Sequence, residues 1–161
     1  MDFSFRRATE SDRTYLERIY FLAEAHGDES SELFSDYPTY AAGYIGDWDP
    51  ERDGGVIVYD ALGVPAGAIW LRFWEDTSAV GWANLGPDIP EFAIAIEARA
   101  QGKGLSRTMI EQACELARDK GARQLALSVD ADNPKARHVY EKFGFRDVAD
   151  APHPGTMVID L

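Results

Sequence analysis

The sequence is poor in cysteine, in long apolar runs and in grouped metal ligands, and each shortage excludes a class of protein. Cys114 is the single cysteine among 161 residues, so no internal disulfide can form, as suits a reducing compartment. No apolar run approaches the ~18 residues of a membrane helix, and the first seven residues carry no apolar signal segment. The histidines lack metal-ligand spacing. We therefore expect a cytoplasmic protein without membrane association or bound metal.

Positive charge is also scarce. Lys and Arg number 16 against 28 Asp and Glu, a net charge of −12, which disfavours nucleic-acid binding because that depends on neutralising phosphates. The imbalance lies almost wholly in residues 1–90, which hold 6 basic and 17 acidic residues. Such a half either attracts cationic ligands or only keeps the protein soluble, and charge alone favours solubility.

What is present is an ordinary globular composition, with 45% apolar and 27% charged residues. The length predicts one domain covering residues 1–161. Hydrophobic periodicity predicts a mixed α/β chain with at least one strand-helix-strand crossover. The predicted strands cover residues 3–7, 56–60, 66–74, 91–96, 125–129, 145–148 and 156–161. The predicted helices run from residue 9 or 11 to an acidic loop at 26–36, from 36 toward 48, from 104 to 120 and from 134 to about 143.

The strand at 91–96 and the turn that follows it carry the first chemical signal. The turn reads Gln101-Gly102-Lys103-Gly104-Leu105-Ser106 and opens a helix. Glycines allow close backbone approach, and the unpaired N–H groups of a helix N-terminus attract anions. Lys103 and Arg107 can add positive charge. The alternative is a tight turn that binds nothing; the spacing fits neither a Walker loop nor a dinucleotide fingerprint.

A second segment, residues 133–145, reads Asn-Pro-Lys-Ala-Arg-His-Val-Tyr-Glu-Lys-Phe-Gly-Phe. With both segments in view, the sequence resembles the GNAT superfamily of acetyl-CoA-dependent N-acetyltransferases. The family's Gln/Arg-x-x-Gly-x-Gly/Ala pattern falls on Gln101 to Ser106, with Ser106 as a small departure at the last position. Its Asn-x-x-Ala-x-x-x-Tyr-x-x-x-Gly-Phe run falls on residues 133–145. The resemblance covers roughly residues 90–150.

The resemblance implies a central mixed, mostly antiparallel sheet that splays after the fourth strand and is flanked by about four helices. It also implies acetyl-CoA as the co-substrate, held by backbone groups of Ile94, Ala95 and Ile96 along the pantetheine arm. The pyrophosphate would lie on N–H groups of the 101–106 turn (Gln101, Gly102, Lys103, Gly104, Leu105, Ser106), with Arg107 adding charge. Asn133 would contact the CoA arm, or would only cap its helix.

Two residues are the catalytic candidates. The resemblance makes Tyr140 the proton donor to the departing thiolate, and a core tyrosine is the alternative. Glu91, at the start of the strand, is the candidate base for the ammonium of the acceptor, and a solvated strand-end glutamate is the alternative. A strand N–H near Ala95 or Ile96 would stabilise the oxyanion.

A further aromatic set most often marks a core face, and in this fold it could instead border the acceptor. Its members are Tyr37, Tyr40, Tyr44 and Trp48.

The expected function is direct transfer of an acetyl group from acetyl-CoA to a primary amine on a small molecule, without a metal. A protein or peptide N-acetyltransferase and a non-catalytic acyl-CoA-binding module are the alternatives. The oligomeric state stays open, with a homodimer as one candidate.

Overall fold

A seven-stranded mixed sheet forms the centre of the computed structural model, which describes residues 2–161. The strands are β1 (Ser4–Arg7), β2 (Gly55–Tyr59), β3 (Pro65–Arg72), β4 (Glu91–Ile96), β5 (Gln124–Ser128), β6 (Arg146–Asp147) and β7 (Thr156–Asp160). Their order across the sheet is β1-β2-β3-β4-β5-β7-β6. Neighbouring strands are antiparallel except β4 and β5, which run parallel. The predicted fold class is confirmed.

Four α-helices cover the two faces of the sheet. They are α1 (Arg13–Glu24), α2 (Tyr37–Ala41), α3 (Leu105–Asp119) and α4 (Pro134–Phe143). Apolar side chains of α3 and α4 join one core cluster, while α1 and the residues after α2 join another on the opposite face. No helix among residues 2–161 combines the length and apolar character needed to cross a bilayer.

The sheet divides between β4 and β5. Their register holds a single pair, Glu91 with Ala126, and the Ala126 N–H donates to the carbonyl of Pro90 at 2.8 Å. Beyond that pair the described strands diverge, so β4 keeps β3 as a partner on one edge and loses β5 on the other. The splay expected from the family resemblance is present.

Three predicted boundaries need correction. Strand β3 ends at Arg72 rather than residue 74, because the Phe73 N–H turns to the carboxylate of Asp53 at 2.9 Å. The second helix stops at Gly46 rather than near residue 48. The strand predicted at 145–148 pairs with β7 only through Arg146 and Asp147.

The helix after α2 changes its hydrogen-bonding pattern and becomes a π-helix over Ala42–Gly46. Two of its carbonyls accept hydrogen bonds from side chains of β3. The Arg72 Nε donates to the Gly43 carbonyl at 2.8 Å, and the Trp70 Nε1 donates to the Tyr44 carbonyl at 3.1 Å. A π-turn of this kind adds a residue to the helical turn and is frequent at functional sites.

Asp53 is a fully buried carboxylate that ties this region to the sheet. It accepts hydrogen bonds from Arg72 Nη1 at 2.8 Å, from the Phe73 N–H at 2.9 Å and from the Asp49 N–H at 2.9 Å. Arg72 is also buried, and burial lowers its pKa although the Asp53 charge opposes this. Asp53 also pairs with the more exposed Arg52 at 2.9 Å, whereas Asp53 is the one ion-pair partner of Arg72 among the described residues, so the buried Arg72 charge depends on Asp53 for compensation.

We predict that Asp53→Asn lowers the free energy of unfolding by about 3–5 kcal/mol, because the buried Arg72 charge loses its counter-ion. Urea unfolding measures the loss. Asp88→Asn, at an exposed position, is the control and should change stability by less than about 0.5 kcal/mol. Similar stability of the two variants would contradict the assignment.

Candidate active site

Two cavities meet in the opening between β4 and β5. The first has a volume of about 640 Å³ and the second about 400 Å³. They share residues from α1, β4 and α4, so the two spaces join. The shared lining consists of Ala23, His26, Ile94, Asn133, Ala136 and Tyr140.

Glu91 lies in the first cavity and is only 3% exposed. Its carboxylate accepts hydrogen bonds from the Tyr44 hydroxyl at 2.6 Å, Trp74 Nε1 at 3.1 Å and the Ala83 N–H at 3.2 Å. The alternative of a solvated strand-end glutamate is therefore wrong. The burial of Glu91 does not by itself show that it acts as a base.

Burial raises the pKa of Glu91 to about 7, and the donors Tyr44, Ala83 and Trp74 limit that rise by stabilising the charged form. A carboxyl with such a pKa gains and loses a proton near neutral pH. Strongly perturbed carboxyls in a cavity are typical of functional sites. The environment of Glu91 thus suits acid–base chemistry, whereas an ordinary surface glutamate would stay ionised.

Tyr140 faces the same opening from α4. Its ring packs edge-to-face on Phe92 and on Phe145, with centroid distances of 6.0 and 6.1 Å. Burial raises the pKa of its hydroxyl to about 12, so the group is protonated at neutral pH. Within residues 2–161 no side chain or backbone group hydrogen-bonds to this hydroxyl, which leaves it free to donate to a ligand.

The second cavity follows the open edge of β4. Peptide groups of a strand alternate between its two edges. The Pro90 carbonyl points to β5 and the Glu97 N–H points to Ala66 in β3, so the peptide groups of Ile94 and Ile96 face the opening. Those of Ala95 face β3. Of the two expected oxyanion donors, only the N–H of Ile96 therefore has its donor on the open edge.

The turn before α3 closes the far end of the second cavity. Gly102 and Gly104 have φ angles of +75° and +77°, a left-handed conformation that favours glycine. Gln101, Gly102, Gly104, Leu105 and Ser106 line the cavity. The N-terminus of a 15-residue helix thus points its free N–H groups at this end of the groove.

The remaining predicted residues lie nearby with different surroundings. Asn133 caps α4 by accepting from the Ala136 N–H at 3.3 Å, and it also lines both cavities. Lys103 lies on the turn but lines neither cavity. Arg107 also lines neither; it pairs with Glu111 at 3.1 Å and lies over the ring of Phe143.

Glu24 is not among the functional residues predicted from the sequence. Glu24 lines the first cavity, and one of its carboxylate oxygens accepts from Trp82 Nε1 at 3.2 Å. A signal existed, because Glu24 stands four residues after the buried Tyr20 on the face that α1 presents to the core. A carboxylate on the core-facing side of a helix is unusual and indicates a functional role.

Metal ligands do not gather in the described part of the chain. No group of three or more His, Cys, Asp or Glu side chains within residues 2–161 is placed to hold an ion. The expectation of metal-free chemistry stays a prediction.

Comparisons with known proteins agree with this geometry. The profile of the acetyltransferase (GNAT) family matches residues 19–145. L-amino acid N-acyltransferase MnaT of Escherichia coli is 24% identical over 146 residues, covering 86% of this chain and 84% of that protein. The structure of yncA from Salmonella typhimurium with its cofactor acetyl-CoA has a TM-score of 0.68 at 18% identity, covering 100% of this chain and 95% of that one.

A third relative is longer. Mycothiol acetyltransferase of Beutenbergia cavernae is 28% identical over 112 residues, which is 62% of this chain and 37% of that protein. The chain therefore matches little more than a third of that relative's length.

The chain belongs to the acetyltransferase (GNAT) family. The family is one of acetyltransferases, and acetyl-CoA, an acyl donor, is the cofactor of the Salmonella structure. The open edge of β4 and the glycine turn are consistent with that donor, since one offers free peptide groups to an amide-bearing arm and the other offers N–H groups to phosphates.

We predict that Gly104→Ala weakens CoA binding by about 5- to 30-fold, because a Cβ at φ +77° strains the turn by about 1–2 kcal/mol and displaces its N–H groups. Titration calorimetry with CoA measures the effect. Gly121→Ala is a matched control: Gly121 follows the other end of α3 with φ +87°, and neither glycine has an atom within 4 Å of an added Cβ. Equal CoA affinity in the two variants would contradict the phosphate-binding role of the turn.

Proposed function

We propose that residues 1–161 form a single N-acetyltransferase domain that transfers an acetyl group from acetyl-CoA directly to a primary amine on a small molecule. The observation that supports this most is the desolvated carboxylate of Glu91, placed in a cavity continuous with the groove along β4. The reaction requires a base whose pKa is close to the working pH and a groove that brings the acetyl donor to that base.

The acetyl donor would lie along the open edge of β4, with its pyrophosphate at the 101–106 turn and its thioester near Tyr140. The N–H of Ile96 or Ile94 would donate to the carbonyl oxygen of the thioester as negative charge develops there. Lys103 and Arg107 would add long-range attraction for the phosphates rather than direct contact. Asn133 would contact the CoA arm while keeping its capping bond.

Glu91 would accept a proton from the acceptor ammonium, directly or through water. The amine nitrogen then bonds to the acetyl carbon as the carbon–sulfur bond breaks, and the electron pair leaves on sulfur. Tyr140 would donate to this sulfur. Because its pKa of about 12 lies above the ~8.5 of a thiol, the hydroxyl stabilises the thiolate by hydrogen bonding more than by complete proton transfer.

A small acceptor is favoured over a peptide because the loop between β3 and β4 walls the first cavity. Trp82 of this loop stacks on Tyr40 with a centroid distance of 4.3 Å, and its main-chain N–H donates to the Tyr44 hydroxyl at 2.9 Å. A peptide substrate would need an open groove at this place. A protein or peptide acetyltransferase remains the second enzymatic candidate.

A non-catalytic acyl-CoA-binding module is the candidate from another class. The two readings differ in thiol release from acetyl-CoA across a panel of small primary amines and peptides. Release that depends on the amine supports the enzyme. Tight acetyl-CoA binding with no amine-dependent release from any acceptor would support the binding module.

We predict that the pH profile of kcat/KM rises through an apparent pKa near 7, because Glu91 acts only when deprotonated. Glu91→Gln should remove this limb and lower kcat by about 10²–10⁴-fold. Tyr44→Phe removes a donor that stabilises the Glu91 carboxylate, so the limb should move upward by about 1 to 2 pH units. A limb that survives in Glu91→Gln would assign it to another group.

We predict that Tyr140→Phe lowers kcat by about 10²–10³-fold with little change in CoA affinity, because only a hydroxyl that donates to sulfur is removed. Single-turnover kinetics with calorimetry separate the two effects. Tyr37→Phe is the matched control, since Tyr37 is partly buried and lines neither cavity. Unchanged turnover in Tyr140→Phe would return this side chain to a purely packing role.

A further inference from the structure

The first cavity also holds polar groups that the proposed chemistry does not use. Glu24 at the end of α1 is the charged one, and its charge also acts on Glu91 by raising the pKa of that carboxyl. One oxygen of Glu24 accepts from Trp82 Nε1 at 3.2 Å, and the Tyr20 hydroxyl is close enough to lower the pKa of Glu24, although it lies beyond ordinary hydrogen-bond distance. Burial raises the pKa of Glu24, so the cavity gains from any partner that stabilises its charge.

The Tyr20 hydroxyl beside it is an unpartnered polar group. Tyr20 is 2% exposed and lines this cavity, and its hydroxyl is the one buried side-chain N or O atom of the described residues that lacks a hydrogen bond. Burial, and then the charge of Glu24, raises its pKa, so the hydroxyl is a donor with an available lone pair. Buried polar atoms without partners are rare in folded proteins and call for an explanation.

Aromatic side chains line the same cavity as these two groups. Phe34 lies edge-on to Trp82 at 5.4 Å, and Trp82 contacts His153 edge-on at 5.2 Å. Phe34, Trp82 and His153 line the same cavity as Glu24. Aromatic faces around a carboxylate attract ammonium and guanidinium groups by cation–π and Coulomb interactions.

The charges of the cavity argue against an anionic acceptor. Its acidic lining residues are Glu24, Glu91 and Asp130, and its one arginine, Arg137, is paired with Asp147 at 2.5 Å. The acidic loop at 26–36 contributes less, because Glu29 is paired with Arg18 and Asp28 accepts from Ser30. Asp130 lies 3.8 Å from His26 Nε2, and Glu91 is the base of the proposed transfer, so Glu24 is the acid of this cavity that is left for a second cationic group.

We propose that Glu24, with the Tyr20 hydroxyl and the neighbouring ring of Phe34, binds a second, cationic nitrogen of the acceptor. The acceptor class is a diamine or another amine that carries an ammonium or guanidinium group apart from the nitrogen that is acetylated. This inference rests on the proposed function, since it assigns the other end of the same substrate. Glu24 is a specificity residue and takes no part in the transfer.

The test compares 1,4-diaminobutane with 1-aminopentane, which has a similar length and one basic nitrogen. Wild-type enzyme should favour the diamine in kcat/KM. At a pH above the Glu91 limb, where Glu91 is ionised in both proteins, Glu24→Gln should raise the KM of the diamine by about 10- to 100-fold while kcat and the monoamine stay unchanged. Glu32→Gln is the control, because Glu32 is an exposed loop carboxylate outside the cavity. Calorimetry of both amines with CoA-loaded enzyme gives the same comparison without turnover.

The outcomes separate the two proposals. If Glu24→Gln weakens both amines equally, or if wild-type enzyme does not distinguish them, the cationic subsite is wrong while acetyl transfer can still stand. If neither amine is acetylated but the diamine binds in a Glu24-dependent manner, the subsite stands and the proposed reaction is wrong for these amines.

Discussion

The separation of β4 from β5 is the constraint on which the rest of the site depends. The strands are joined at Glu91 and Ala126 and part at once, so the peptide groups of Ile94 and Ile96 keep a free edge. In a closed sheet those peptide groups would be used in a ladder, and burying them unpaired would cost about as much as the loss of a hydrogen bond each. The fold instead leaves them at a groove, where a ligand can supply the missing partners.

The same separation brings together residues from opposite faces of the sheet. Glu91 points toward the α1 side, where Tyr44 and Trp74 hold it, while Tyr140 packs with Phe92 on the α4 side. An intact sheet would separate them. Because β5 departs, both side chains reach one cavity, and a group placed in the opening can be approached by a base from one face and a donor from the other.

Much of the groove could be predicted from sequence because it is built from local motifs. The strand at 91–96, the glycine turn and the Asn133-Pro134 helix start are contiguous segments whose backbone preferences are strong. The position of Glu91 made it a candidate base, but its burial and its raised pKa could not be predicted from the sequence. Its burial comes from Tyr44, Trp74 and Ala83, which lie 47, 17 and 8 residues away in the chain.

Glu24 and Tyr20 were missed for a related reason. Periodicity predicts α1 as an amphipathic helix with Glu24 four residues after Tyr20, but a glutamate in the last turn of a helix is usually solvated, so this spacing alone did not mark it. Only the arrival of Trp82 from 58 residues away encloses it. The aromatic set Tyr37, Tyr40, Tyr44 and Trp48 shows the same division: Tyr44 and Trp48 are buried, whereas Tyr37 and Tyr40 are only partly so.

The π-turn at Ala42–Gly46 makes the geometry of the site sensitive to the number of residues in this segment. Each residue of a helix turns the next by about 100°, so the additional residue in this turn sets the direction in which Tyr44 leaves the backbone. Deleting one residue between 37 and 43 would keep every side chain of the site and still rotate Tyr44 away from Glu91. Homologous chains that share this tyrosine contact must therefore share the segment's length, and an alignment gap there would signal a different environment for the base.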